Sequence, residues 1–459
     1  MEYRTENDVL GEKQVSADKY WGIHTQRAIE NFTLSGDRVS GGLIRAIITV
    51  KKAACLANQE LGHLSADKAK AIAEACDEIL EGKLLVDWPL DALQGGAGTS
   101  TNMMVNEVLA NRAIEILGGK RGQYDLLRPI EDVNMHQSTN DVYPTAVKIA
   151  AISGFKALSD AAAKLQGEFQ KKEKEFSGIV KIGRTELQEA VPMTLGAEFG
   201  AFAEALARDR WRTFKCEERL RVVNLGGTAV GTGLGAPQRY IFLVIEKLRE
   251  ITGLGLSRSE NMVDTTANTD AFVEVSGILK AHASNLIKIA EDLRKMALLG
   301  EIRLAAVQAG SSIMPGKVNP VILEAVIQAG IKAIANDLIV TETTSRSTFQ
   351  INEFMPLLAH ALLGSIELLT NACGDFAHCA EQVQAVPEVC RQHADMSETI
   401  VTAFLPHIGY GKAEQLLKEF HGSGRKDLRE FLENKLGKDL VTSVLSSQNL
   451  LSLGYQDHG

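Results

Sequence analysis

One stretch limits the folds open to this 459-residue chain more than any other: TDAFVEVSGILKAHASNLIKIAEDLRKMALL. In it Phe272, Val275, Leu279, His282, Leu286, Ile289, Leu293 and Met296 recur at alternating steps of three and four. That spacing puts all eight on one face of an α-helix, the seam of a long helix in a bundle. His282 is the polar member, and a histidine on an apolar seam reads as a satisfied core residue. A second helix is predicted to begin after Pro320, because proline suits a first helical turn. Ile327, Ile331, Ile334 and Leu338 then share one face with Glu324. A carboxylate on an apolar stripe has to be paired, protonated or functional, since burying it alone is costly.

Further apolar patterns run through roughly 40–82, 143–173, 190–220 and 355–385. Strands are expected to be short and local, with VVNL (222–225) as one candidate. The prediction is a mainly α-helical chain with a central bundle of long helices, residues 138–392, between a helical N-terminal domain, 1–137, and a small helical C-terminal domain, 393–459. Several of the patterns are apolar on more than one face, so a homo-oligomer is expected.

Composition narrows the function classes. A hydrophobic content of 45% is enough for a large core, and the formal charge of -9 is spread along the chain, which argues against a nucleic-acid partner. The N-terminal MEYRTENDVLGEKQ lacks the apolar run of a secretory signal, and no uninterrupted apolar stretch approaches the ~20 residues that span a bilayer. No membrane partner is expected, and the cytoplasm is the expected compartment. The six cysteines form no CxxC pair and read as free thiols of a reducing environment; the ten histidines include no HExxH, so no metal site is predicted.

Four polar, glycine-punctuated stretches interrupt the helical pattern: GGAGTSTNMMVNE (95–107), HQSTNDVYPT (136–145), GRTELQEAVPMT (183–194) and GSSIMPGKVNP (310–320). Taken singly they read as caps and turns. The last is not a phosphate-binding P-loop, since five residues rather than four separate Gly310 from Gly316 and Val318 stands where a magnesium-binding hydroxyl belongs. GGTAVGTGLG, 226–235, fails the dinucleotide fingerprint, because Ala236 stands at the final glycine position and no βαβ unit surrounds it.

Together the four stretches resemble the aspartase/fumarase superfamily, lyases that eliminate an amine or water from succinyl-type substrates. GSSIMPGKVNP matches the family signature in full, and the resemblance extends to YWGIHTQRAIENF, NEVLANRA, QSTND, LGGTAVGTGL, QINEFMPLLAH and IGYGKA. It implies three helical domains, a homotetramer with a twenty-helix core, active sites built from three subunits, a small amino-acid substrate and no organic cofactor or metal.

The resemblance also implies roles. Thr99, Ser138, Thr139 and Ser312 would surround the carboxylate next to the reacting carbon; Lys317, Asn319 and Thr185 would hold the other carboxylate; Asn140 would lie near the leaving group. Ser311 corresponds to the catalytic base, and the glycines at 310 and 316 would let the loop act as a lid. At Glu186 fumarases and some aspartases have histidine, and other aspartases glutamine. A carboxylate there favours a cationic leaving group. Glu324 matches the acid that partners the fumarase histidine, so the two glutamates are expected near each other, where like charges would raise one pKa. The segment MALLGEIRLAAVQAG, 296–310, is shorter than its counterpart in relatives, which carry a GPR-type segment before the loop. The implied activity is a carbon-nitrogen lyase of the aspartase type. The alternatives are a lyase for a substituted or quaternary amine, as in ergothionase, then fumarate hydratase, then a crystallin-like structural relative.

Overall fold

A computed structural model describes residues 2–452 and 454–455. Helices account for 64% of the chain. The longest are Thr139–Glu175, Leu195–Leu220, Asp270–Leu298, Val321–Ser345 and Met355–Glu381. The eight seam residues from Phe272 to Met296 are all buried, so the three-four spacing read the core face of that helix correctly.

The helix after Pro320 also forms where expected, but its buried face is a different one. Leu323, Val326, Ala333 and Val340 are inside, whereas Ile331 and Leu338 are 57% and 62% exposed. Periodicity could not choose between two apolar faces of one helix.

The chain divides into two compact units interleaved in sequence. The first comprises 1–158, 212–281 and 332–369. Within it Gly154 packs so closely on Ile366 that a Cβ would lie 2.7 Å from Cγ2, and Asn336 donates to Ser365 Oγ at 2.9 Å. Small and polar residues thus let segments of long helices approach closely.

The second unit comprises 159–211, 282–331 and 370–459. Its core holds Phe169, Phe199, Phe202 and Phe376 in tilted and edge-on ring contacts. Each such buried ring contributes roughly 1.5–3 kcal/mol. His282 is fully buried there, with Nδ1 3.0 Å from Asp209 Oδ2 and Nε2 3.2 Å from Cys373 Sγ. Burial opposes the imidazolium, but Cys373 and Asp209 outweigh it and push the pKa up to about 10. Residues 400–445 gather a local core around Phe404, Phe420, Phe431 and Leu432.

Strands are short and occur in pairs among the described residues. Val222–Val223 is one, as the sequence suggested, and pairs in parallel with Ser257–Arg258. Two hairpins were not foreseen: Tyr3–Asp8 with Gly11–Ser16, and Val180–Thr185 with Gln188–Thr194. Met355–Glu381 is long and apolar enough to cross a membrane by length and composition alone, and 56% of its most apolar window is buried inside the protein.

Candidate active site

In the first unit two helices begin within reach of each other. The turn before Thr99–Ile116 has positive φ at Gly96, Ala97 and Gly98. Glycine is required at 98: its φ is +92°, and a Cβ would sit 2.3 Å from the Tyr143 ring. The sharp turn delivers Thr99 to the first helical position. Ser138 caps the helix Thr139–Glu175, with its Oγ accepting from Asn140 N at 3.2 Å while Asp141 Oδ1 accepts from Ser138 N at 3.0 Å. Asn102, in the first turn of the Thr99–Ile116 helix, donates to Thr139 Oγ1 at 3.2 Å and so ties the two helix starts together. Asn140 donates its amide to Ala229 O at 2.7 Å. Helix N-termini lined with hydroxyls favour an anion, because the positive end of the helix dipole and the hydroxyl donors both suit negative charge. A cavity of about 860 Å³ opens beside Thr99 and Ser100, bordered by Ile23, His24, Met103 and Arg128.

Beneath these residues lies a buried polar layer that the motifs did not reveal. Lys51 Nζ donates to Asn134 Oδ1 at 2.7 Å and to Gln137 Oε1 at 2.9 Å. Asn134 Oδ1 also accepts from Asn102 and Asn106. Burial drives Lys51 down to about 7, against the pull of Asp141. Asp141 Oδ2 accepts from Gly226 N at 3.1 Å and Thr228 N at 2.9 Å, and burial still raises its carboxyl to about 6. The available signal was periodicity: Ile44, Ile47, Lys51, Ala54 and Asn58 share the three-four spacing of a buried face.

The remaining candidates lie in the second unit. GRTELQEAVPMT forms the end of one strand, a turn and the second strand of a hairpin, so the turn in that reading is present and a helix cap is not. Thr185 pairs with Gln188, leaving Glu186 and Leu187 as a two-residue turn with φ of +53° and +63°. Primed turns of this kind normally carry Asn-Gly, so two side chains here occupy a conformation that costs roughly 1–2 kcal/mol per residue. Glu186 is exposed and has no hydrogen-bond or ion-pair partner among the described residues. Glu324 Oε1 lies 3.7 Å from Arg294 Nη2, and no hydrogen bond joins it to Glu186 within the chain.

GSSIMPGKVNP is an irregular loop closed at its base. Gly310 N donates to Lys317 O at 2.7 Å and Asn319 Nδ2 donates to Gly310 O at 2.9 Å. A Cβ at 310 would meet the Lys317 carbonyl at 2.7 Å, so this glycine serves a close backbone approach. Ser311 Oγ accepts from Met314 N at 2.9 Å and Ile313 N at 3.2 Å. Two N–H donors on one hydroxyl favour its anionic form. Ser312 and Lys317 are exposed. The segment before the loop borders a cavity of about 700 Å³ lined by Arg294, Arg303, Leu304 and Val318. Among the described residues no group of three or more His, Cys, Asp or Glu could hold a metal ion.

Comparison with known proteins gives a consistent picture. Residues 11–335 match the family model described as Lyase. An aspartate ammonia-lyase of Bacillus sp is 44% identical over 93% of this chain and 92% of its own length. The crystal structure of a fumarate lyase:delta crystallin from Brucella melitensis bound to cobalt matches with a TM-score of 0.93 and 45% identity, covering 98% of this chain and 99% of that one. A recombinant class II fumarase from Schistosoma mansoni matches with a TM-score of 0.89 and 30% identity, covering 97% and 98%. With the helical fold and the signature loop already in place, these matches mean that the chain belongs to the aspartase/fumarase family of lyases.

Proposed function

We propose that this protein is a carbon-nitrogen lyase that eliminates ammonia from L-aspartate to give fumarate. The observation that carries the reading is Ser311 Oγ, which accepts two backbone N–H groups in a loop whose base is closed by Gly310, Lys317 and Asn319. The aspartate ammonia-lyase similarity, at 44% identity against 30% for the fumarase, favours amine over water as the leaving group.

The Ser311 alkoxide removes the C3 proton, which ends on the serine oxygen. The electron pair moves into the adjacent carboxylate, giving a dianionic aci-carboxylate. Thr99, Ser138, Thr139 and Ser312 stabilise it with hydroxyl donors, an arrangement typically worth several kcal/mol. Collapse of the dianion forms the C2=C3 double bond and breaks C2–N, releasing the amine. Thr185, Lys317 and Asn319 hold the second carboxylate, and Asn140 faces the leaving group. Glu186 offers negative charge to the substrate's ammonium group, which takes the C2–N bonding pair and leaves as neutral ammonia, with Glu324 behind it.

A homotetramer with active sites shared among three subunits completes this reading. Trp211 and Phe214, 64% and 69% exposed, together with Ile331 and Leu338, leave apolar helix faces open on the single chain, as a multi-helix core would require. Glu186 also favours a second reading, a substrate bearing a substituted or quaternary amine, because a carboxylate attracts trimethylammonium without donating to it.

Following the absorbance of the unsaturated acid with aspartate, malate and betaine amino acids separates the possibilities. Aspartate turnover supports the first reading, betaine turnover the second, and turnover of malate alone would sink the amine assignment. A folded protein inert to all of them would leave a structural role.

A further inference from the structure

The two chemistry-bearing segments of the second unit share one anchor. Glu301 immediately precedes the strand Ile302–Arg303, after which Leu304–Gly310 runs without regular structure into Ser311. Its side chain is fully buried. Oε1 accepts from Arg184 Nη1 at 2.6 Å, and Arg184 directly precedes Thr185 and Glu186 in the hairpin. Oε2 lies 2.9 Å from Lys181 Nζ, an ion pair rather than an aligned hydrogen bond. Lys181 is itself buried and lies on the same strand, 2.5 Å from Glu198 of the helix Leu195–Leu220. His393 Nδ1 is 3.1 Å from Oε1. The Glu301 backbone is fixed as well: its carbonyl accepts from Val386 N at 2.9 Å, and Ile302 pairs with Ala385. Burial disfavours the carboxylate, but Lys181 and Arg184 outweigh it and hold the pKa below the usual glutamate range.

We infer that Glu301 is a positioning residue for the reaction, a buried carboxylate that locks the Thr185–Glu186 turn to the root of the Ser311 loop. The inference rests on the roles proposed above for Thr185, Glu186 and Ser311. A buried charge with two cationic partners is costly to disturb, because removing it leaves Arg184 without a carboxylate and Lys181 with Glu198 alone. It is also geometrically specific, since the planar guanidinium donates along fixed N–H directions, here from Nη1 to Oε1 alone. The hairpin ladder holds the strained turn on its own strands and hydrogen bonds close the irregular serine loop at its base, but neither gives the two segments a shared position. Their common tether supplies it. Small displacements matter here, because about 1 Å of misplacement of a reacting group can cost a hundredfold in rate.

The test is Glu301→Gln in the full-length protein, with hydrogen exchange read by mass spectrometry alongside steady-state kinetics on L-aspartate. Amides of 183–190 and of 304–319 are both expected to exchange at least tenfold faster, while those of 428–436 keep their protection and kcat falls at least tenfold. Glu198→Gln, which removes the other partner of Lys181 but not the tether, is expected to leave both segments and kcat within about twofold of wild type. Wild-type exchange in both segments of Glu301→Gln, loosening of only one, or equal loosening in Glu198→Gln would overturn the proposal. If Glu301→Gln does not fold, Arg184→Met, which removes the Nη1 donor to Glu301 Oε1, should loosen the same two segments. Unchanged exchange in Arg184→Met would overturn it too. Wild-type protein that does not turn over aspartate would sink the substrate assignment, while the exchange result would still decide the tether.

Discussion

Thr99, Ser138 and Thr139 stand on helix N-termini backed by a buried layer of Lys51, Asn102, Asn134 and Asp141, whereas Thr185, Glu186 and Ser311 stand on a turn and an irregular loop held from beneath by Glu301. The first arrangement suits binding, because helix starts present N–H groups at fixed positions and need no movement to accept an anion. The second suits chemistry that must open to admit substrate and close to exclude water. Hydroxyls on rigid ends and the proposed base on a tethered loop are therefore different solutions to one task.

The sharpest way to break that comparison is Ser311→Ala. We expect kcat to fall by at least ~10⁴-fold, about 5 kcal/mol of barrier, with thermal stability unchanged within about 1 kcal/mol. Gly98→Ala should do the reverse in kind. A Cβ there meets the Tyr143 ring in a positive-φ turn, so unfolding by denaturant should show a loss of about 3 kcal/mol or more, with activity lost alongside.

The buried cations of the two units should respond to alkali with opposite signs. Burial depresses Lys51 in the folded protein from 10.5 to about 7, so between these values the unfolded chain holds a proton that the folded one lacks, and stability rises with pH. His282 is raised from 6.5 to about 10; its contribution is complete below 6.5 and is lost as pH rises through 10. Each slope is at most about 1.4 kcal/mol per pH unit, and in the wild type they oppose each other. Relative to wild type, the slope of unfolding free energy against pH between 7 and 10 should therefore become more negative in Lys51→Met and more positive in His282→Gln. Parallel slopes in the two variants would refute the assignment. The smallest effect is expected at Leu187→Gly, where relief of the positive φ should raise stability by up to about 1 kcal/mol in denaturant unfolding.

The parts of this structure that were legible in the sequence are those where one periodicity had one outcome. The Phe272–Met296 seam is buried at every position, including His282, because the helix has a single apolar face. On the helix after Pro320 the apolar residues occupy two faces, and the stripe through Ile331 and Leu338 points outward on the single chain. The hairpin at 180–194 was hidden because Glu-Leu stands where a two-residue turn normally has Asn-Gly. The four polar loops were visible as a group, but their supports were not. Lys51 looks like any helix lysine until its register with Ile44 and Ile47 is counted, and the Glu301 carboxylate finds its partners Lys181 and Arg184 more than a hundred residues earlier.

The central claim is that amine elimination from L-aspartate uses Ser311 as its base. Measuring ammonia and fumarate together, for wild type and Ser311→Ala at equal folded concentration, tests it most directly. Equal amounts of both products from the wild type and neither above background from the variant are expected. Fumarate without ammonia, no product from the wild type, or full activity in the variant would contradict it.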